Sequence, residues 1–521
     1  MTKSAFWTER RAITVIIIVT AVLRLALAFR SEALIFTRYF QEDAYYLFNC
    51  AEHAAHGEGF TVDGIHPTNG VQPLIVVLYA PLFIFSGFDK VLALKFAFVY
   101  CALFDSLSVI FLFGLLKTLR KKSTEVTSRS VWLTPPVIAG AFWGTLFPIF
   151  VHTVSGLETG LYSTLLIASI YQYAVVLAKR KEAELIPAWR YICLGVTLGF
   201  VVLARIDGAI FVAMIALFEL FFRKQGAITR AAVIALPALL ISLPWWYYNY
   251  STFGSLMPQS GISETLDRDI WTNVWQTLAV IADCVSVFFS LARMAAVPFL
   301  IYLGWFVGVM GICIFLGRRW KLLEYIKQTY STDALLPLIA ASVVLIIYYT
   351  FFFSAPYFIS RYLQPLRIVT LIVAAMVIPL IVEQMLGSRP TKAILYVVAV
   401  AAVANTFLRY PPNFLTNDIS TFYKVGKWAQ TVPHSSVGMY QSGAAGFIAA
   451  NVVNLDGKVN YDALQARRHG GIGSYLAAAD ITYVADEKDL VSGIVSSAEK
   501  YGVRYLLIDS IDRVRIYKRV Q

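Results

Sequence analysis

The sequence predicts an all-α polytopic membrane protein with a small α/β domain at its C-terminal end. Three observations carry that prediction. The 521 residues are 58% hydrophobic and only 15% charged, with a mean hydropathy of +0.65, well outside the composition of soluble domains. Apolar runs near the ~20 residues needed to cross a hydrocarbon core recur along the chain. From about residue 412 onward the runs shorten into β-rich stretches between Gly and Asp turns.

A formal net charge of +12 would point to nucleic acid in a soluble chain. Here the basic residues cluster in short loops between apolar runs, as cytoplasmic loops do, so no nucleic-acid partner is expected. The five cysteines are scattered, with no spacing that suggests a disulfide framework or a zinc site. The first apolar run has no small-residue cleavage site after it and is read as a retained helix.

Thirteen apolar runs are candidates for helices: about 11–30, 71–88, 91–116, 131–151, 157–178, 190–204, 207–222, 230–249, 271–292, 295–317, 334–354, 363–386 and 392–408. If all thirteen crossed, "KTLRKKSTEVTSRS", "KRKEAELIPAWR" and "RKQGAITR" would lie outside, against the Lys/Arg bias of membrane proteins. Reading 71–88 and 271–292 as helices lying on the outer surface leaves eleven crossings, with every basic loop inside. The N-terminus and five inner loops then hold 21 Lys and Arg, whereas four short outer stretches hold three: Arg205, Arg268 and Arg361. On this reading residues 1–411 form a transmembrane domain whose first external loop, 31–90, carries surface helices, and residues 412–521 form an external domain. In the latter, "SVGMYQSGAAGFI", "NVVNLDGKVNYDAL", "DITYVADEKDL" and "VRYLLIDSIDRVRIYKRV" alternate strand-like and helix-like stretches. Its 12 basic and 10 acidic residues nearly cancel and say little about a partner.

The first loop contains "FQEDAYYLFNCAEHAAHGEGFTVDGIHPTNGVQP", residues 40–73, with Glu42, Asp43 and three of the six histidines. Asp43 starts a helix-like stretch that Gly57 and Gly59 can stop. A carboxylate there answers the helix dipole or caps the helix. Glu158, in "HTVSGLETGLYS", stands at the top of a helix in the next outer turn. Two acids on successive outer loops can converge on one site, one as general base and the other holding a metal or a sugar hydroxyl. Glu158, Arg205, Asp207 and Arg361 all lie at outer helix ends, where charges are costly and usually have a task. Arg205 and Asp207, in "LARIDGAI", can also simply pair with each other. "PWWYYNYSTFG" reads as an interfacial aromatic belt in which Asn249 is a further candidate for sugar contact. "HAAH" puts His53 and His56 on one helix face, a pattern that fits a metal or an ordinary polar surface. The chain has no P-loop, dinucleotide fingerprint or nucleophile elbow, which excludes a recognisable cytoplasmic nucleotide-sugar site.

The acidic pair Glu42-Asp43 after helix one, Glu158 in the next external loop and Arg361 in a late one form a layout that resembles the GT-C superfamily of membrane glycosyltransferases. That group includes protein O-mannosyltransferases, the aminoarabinose transferase acting on lipid A, oligosaccharyltransferase and mycobacterial arabinosyltransferases. "EDAYYLFNCAEHAAHGEGFTVDGIHPTNGVQPL", "SGLETGLY", "ARIDGAI", "PWWYYNYSTFGSLMPQSG", "SRYLQP" and "GAAGFIAANVVNLDGKVN" look like a bacterial branch of it, covering most of the chain. The resemblance implies an inverting transferase whose donor is a sugar on a polyprenyl phosphate, approached from within the bilayer. It implies Asp43 as catalytic base, its basicity raised by burial among aromatic residues, with Glu42 assisting or binding the acceptor and Glu158 as second acid. Arg361 would grip the departing lipid phosphate, a membrane-headgroup anchor being its alternative. His66, Asn69, Tyr362, Asn249, Arg205 and Asp207 are the further candidates for substrate contact. Glu158 stands alone where the family has a pair of acids, which leaves a divalent metal ion an open expectation. The acceptor is a glycan, lipid or protein, and the site faces the external, periplasmic side of a bacterial inner membrane. Two alternatives compete: a lipid-linked sugar flippase or transporter, and a non-catalytic subunit of an envelope polysaccharide assembly. Transporters tend to place charges near the midplane and carry inverted repeats; neither feature is visible here.

Overall fold

The computed structural model describes residues 8–122, 131–182, 185–222, 226–266, 269–286, 299–353, 358–386 and 419–520. Among them seven helices are long and apolar enough to cross a membrane: Glu9–Phe29, Lys90–Leu119, Thr159–Lys181, Ala227–Phe253, Leu300–Arg319, Asp333–Phe351 and Gln364–Gln384. An eighth span is broken, with Pro135–Thr145 and Phe147–Thr153 meeting at 57°. The break falls at Leu146, whose backbone is extended, and Pro148 opens the second half, where its missing N–H costs nothing. Two further expected crossings form the shorter apolar helices Ala188–Ala204 and Gly208–Phe222. The crossing expected at 392–408 lies outside the described residues. The chain is an integral membrane protein.

The two runs read as non-crossing form Pro73–Phe85 and Ile270–Ser286. The first rises only ~20 Å at 1.5 Å per residue, short of a ~30 Å hydrocarbon core.

Inside the bundle, Arg24 and Asp105 are fully buried and paired at 2.7 Å. Trp143 Nε1 and the Thr153 hydroxyl also donate to Asp105, at 3.0 and 2.7 Å. The pair ties the first helix to Lys90–Leu119 and the broken span.

Most of the described basic loops share one end of the bundle. There Lys117 pairs with Glu9 at 3.2 Å, Lys122 with Glu182 at 2.8 Å and Lys181 with Asp333 at 3.1 Å. Arg180 and Arg230 converge on buried Glu219. The opposite end carries the 31–89 loop, in which helices Ala44–Ala55 and Pro73–Phe85 pack together. Phe40 stacks on Phe98, and Phe48 on Tyr79, each at 4.8 Å between ring centres.

The C-terminal sheet sits on this loop. Its strands are β1 (Val437–Met439), β2 (Val452–Asn454), β3 (Tyr483–Glu487), β4 (Tyr505–Ile511) and β5 (Val514–Arg519), in the order β2-β1-β3-β5-β4. β1 is parallel to β2 and β3, with helices in the crossovers that parallel pairing needs. β4 and β5 form an antiparallel hairpin. Phe447, on the first crossover, inserts among Phe36, Tyr45, Phe48 and Phe83, with ring centres 5.3–6.3 Å away. The domain boundary expected at 411–412 falls outside the described residues.

Candidate active site

A cavity of about 500 Å³ opens where the loop 31–89, the C-terminal domain and the helix ends meet, within the usual range for small-molecule sites. Asp43, Glu158, Arg205, Asp207, Arg361 and Tyr362 all line it.

Asp43 is the residue before helix Ala44–Ala55, yet its side chain makes no cap hydrogen bond. It turns into the cavity, accepting from Arg361 Nη2 at 3.1 Å and lying 3.9 Å from Lys458 Nζ. The expectation of a raised basicity is corrected here. Burial does push the carboxyl up, but Lys458 and Arg361 outweigh it and hold Asp43 below the usual carboxylate range.

Glu42 faces away from the cavity. Its carboxylate accepts from the backbone N–H of Gly443 and, at 3.2 Å, of Ala444. A Cβ at Gly443 would overlap the Glu42 carbonyl oxygen, so glycine permits this approach. Burial, then the adjacent Asp43, push Glu42 up to about 8. Glu42 thus links the loop to the C-terminal domain.

Glu158 precedes helix Thr159–Lys181, again without capping it. It is positioned by a turn in which Gly156 has φ +78°, and a Cβ there would press into the Phe40 ring. Its carboxylate takes Arg205 Nη1 at 2.5 Å. Arg205 also binds Asp207 in a bidentate fork, at 3.1 and 2.8 Å, and the Tyr349 hydroxyl donates to Asp207 at 2.5 Å. Tyr362 stacks on Tyr349 at 4.6 Å and lies between two cations, Arg205 at 4.6 Å and Arg361 at 5.1 Å from its ring centre.

Arg361 spends one guanidinium nitrogen on Asp43. Its Nε and Nη1 are buried without a hydrogen-bond partner among the described residues. Two nitrogens, carrying three N–H donors, therefore remain for an anion.

Three expected contacts lie off the cavity wall. Asn69 is fully buried and accepts from the Gln259 N–H at 2.9 Å. Asn249 is fully buried beneath the Leu256 carbonyl, to which it donates at 3.4 Å. His66 pairs with Asp63 at 2.7 Å and lies 4.0 Å from Asp462 of the C-terminal domain. They brace the walls instead. His53 binds Glu58 at 2.5 Å and His56 stacks on Phe88 at 3.9 Å.

A divalent metal does not fit the described residues. No group of three or more His, Cys, Asp or Glu side chains among them is placed to hold one, and both Asp43 and Glu158 are taken up by cations.

The sequence missed Lys458, which enters from the C-terminal domain and contacts Glu264 at 2.8 Å, Asp456 at 3.8 Å and Asp43 at 3.9 Å. The "NLDGKVN" stretch was visible as a turn, but nothing in it marks a lysine that reaches a loop more than 400 positions earlier. Glu264, also on the wall, carried no signal of its own, and Trp246 showed only as part of the expected aromatic belt.

No family model matches this chain, and no curated protein matches it in sequence. Solved structures match in fold. The oligosaccharyltransferase AglB from Archaeoglobus fulgidus, in complex with an inhibitory peptide and a dolichol-phosphate, aligns with a TM-score of 0.56 at 12% identity, over 100% of this chain and 75% of that one. ArnT from Cupriavidus metallidurans bound to undecaprenyl phosphate aligns with a TM-score of 0.55 at 13% identity, over 97% of each chain. The zinc and sulfate complex of the same oligosaccharyltransferase aligns at 0.56 and 12%, over 94% of this chain and 69% of that one. The fold is that of the GT-C membrane glycosyltransferases, the architecture the sequence layout suggested.

Proposed function

We propose that this protein is an inverting glycosyltransferase that moves a sugar from a polyprenyl phosphate to an acceptor hydroxyl, on the periplasmic face of a bacterial inner membrane. The observation that carries the proposal is the cavity itself. On a GT-C fold, one pocket at the mouth of the bundle holds an ionised carboxylate beside a guanidinium with two nitrogens unpartnered among the described residues. Two neighbours in fold were solved with polyprenyl-type phosphates, dolichol-phosphate and undecaprenyl phosphate, which supports the same class of lipid here. The Lys/Arg-rich opposite end supports a cytoplasmic assignment for that end.

The chemistry is a direct displacement. The acceptor oxygen attacks the anomeric carbon and forms the new C–O bond as the bond to the phosphate oxygen breaks. Asp43 takes the acceptor proton. The bonding pair leaves on the lipid phosphate, whose charge Arg361 meets with N–H donors that fit phosphate oxygens in pairs. One displacement inverts the anomeric centre. Glu158, Arg205, Asp207 and Tyr349 form a rigid polar wall for the sugar or acceptor hydroxyls.

The test is donor turnover. The purified chain, with native membranes as acceptor, is offered a panel of polyprenyl-phosphate hexoses and pentoses. At least one sugar should be transferred with release of polyprenyl phosphate, and Asp43→Asn should abolish that release. No turnover of any donor, with folded protein, contradicts the proposal.

A further inference from the structure

We propose that in the empty site Arg361 and Lys458 hold Asp43 out of action, and that the donor's phosphate, by drawing off both cations, releases Asp43 to act as the base. The inference rests on the function proposed above and gives the C-terminal domain a direct part in the site.

Asp43 is gripped from two sides. Arg361, from the transmembrane bundle, bonds it at 3.1 Å; Lys458, from the C-terminal domain, lies 3.9 Å from its other oxygen. A carboxylate so paired is a poor proton acceptor, and its acidity is displaced in that direction. As it stands the site would be slow to take a proton from an acceptor hydroxyl.

Neither cation is committed to this arrangement. Arg361 has Nε and Nη1 without partners among the described residues, and only 12% of its side chain is exposed. Water therefore does little to satisfy those donors, and a buried unpaired donor is costly. Lys458 is shared among Asp43, Asp456 and Glu264, and an ammonium on a flexible stem redirects readily. A phosphate offers more charge and more acceptor oxygens than one carboxylate, and matches the guanidinium fork. It therefore competes with Asp43 for both cations.

Once they turn to phosphate, the burial that raises Asp43 is no longer offset by the two cations. Burial raises the proton affinity of a carboxylate. The base is thus strengthened by the arrival of the donor, and an empty site does not activate water or acceptor. Lys458 becomes the second phosphate ligand, so each domain supplies one cation.

Binding of undecaprenyl phosphate to the full chain in lipid nanodiscs tests this, with variants compared by dissociation constant. Removing a competitor for the cations should tighten binding: Asp43→Asn should bind at least about fivefold more tightly than the parent, a modest coupling between linked sites. Lys458→Gln should bind at least about fivefold more weakly, and Lys458→Arg should restore most of the affinity. A cooperative melting transition, as in the parent, qualifies each variant. If Asp43→Asn fails that check, Glu264→Gln, which removes the acid nearest Lys458, carries the same expectation of tighter binding. A parent that binds the lipid while Asp43→Asn or its substitute gains nothing overturns this inference and leaves the proposed function standing. A parent that binds no undecaprenyl phosphate overturns both.

Discussion

At the scale of single residues, two adjacent acids have opposite surroundings and opposite expected behaviour. Asp43 is ionised and makes no helix cap, so replacing it by Asn removes basicity without removing a structural hydrogen bond of the helix. Transfer by Asp43→Asn should fall by about 10²–10⁴-fold, the usual worth of general-base catalysis, in a protein that still folds but melts lower because two ion pairs are lost. Retention of transfer within a few-fold would remove Asp43 from the base role. Glu42 is the reverse case. Its carboxyl titrates near the ordinary value of 4.5 when unfolded and about 8 in the folded protein. Between those values folding takes up a proton, so stability falls as pH rises through that window and levels off above it. Glu42→Gln keeps an oxygen for the Gly443 and Ala444 N–H groups but cannot ionise. The parent's melting temperature should therefore drop between about pH 5.5 and about pH 8.5 by more than that of Glu42→Gln. Equal slopes would show that Glu42 is not proton-coupled to folding.

At the scale of elements, the turn at Asn69-Gly70 brings Gly70 to the cavity wall. A Cβ on Gly70 would overlap the Lys458 carbonyl oxygen, and backbone cannot swing aside as a side-chain end can. Gly70→Ala should displace the loop after β2 and Lys458 with it. The expected result is weaker undecaprenyl phosphate binding, as for Lys458→Gln, in a protein whose helix content is unchanged by circular dichroism. Parent-like affinity would mean that the loop gives way without moving the lysine. This turn also marks where the sequence stopped being legible. The helices were readable because hydropathy is a local property, and the grouping of Glu158, Arg205, Asp207 and Arg361 followed from charges at helix ends. The close approach of Gly70 to Lys458 depends on where the sheet domain docks. That docking is set by Phe447 among the loop aromatics and by Glu42 at Gly443, contacts that no periodicity or composition encodes. The direction of the Asp43 shift was misread for the same reason: burial was visible in the aromatic neighbours, whereas the outweighing Lys458 was not.

At the scale of the whole molecule, the described basic loops gather mostly at one end and the cavity sits at the other, with the C-terminal domain over it. The Lys/Arg bias predicts that the cavity end faces outside. In a background lacking the exposed cysteines Cys193 and Cys313, a cysteine at His434 should react with an impermeant thiol reagent on cells lacking an outer barrier. One at Lys122 should react only after permeabilisation; the opposite pattern would invert the topology. The central claim, that a lipid phosphate is bound between the two domains and takes the cations from Asp43, is tested most directly by a cryo-EM map of the full chain in nanodiscs with undecaprenyl phosphate. The expected map has the phosphate within hydrogen-bond distance of both Arg361 and Lys458, the lipid tail running to the bundle surface, and the 3.1 Å Arg361–Asp43 contact opened. Phosphate density elsewhere, or within the cavity with that contact intact, would contradict it.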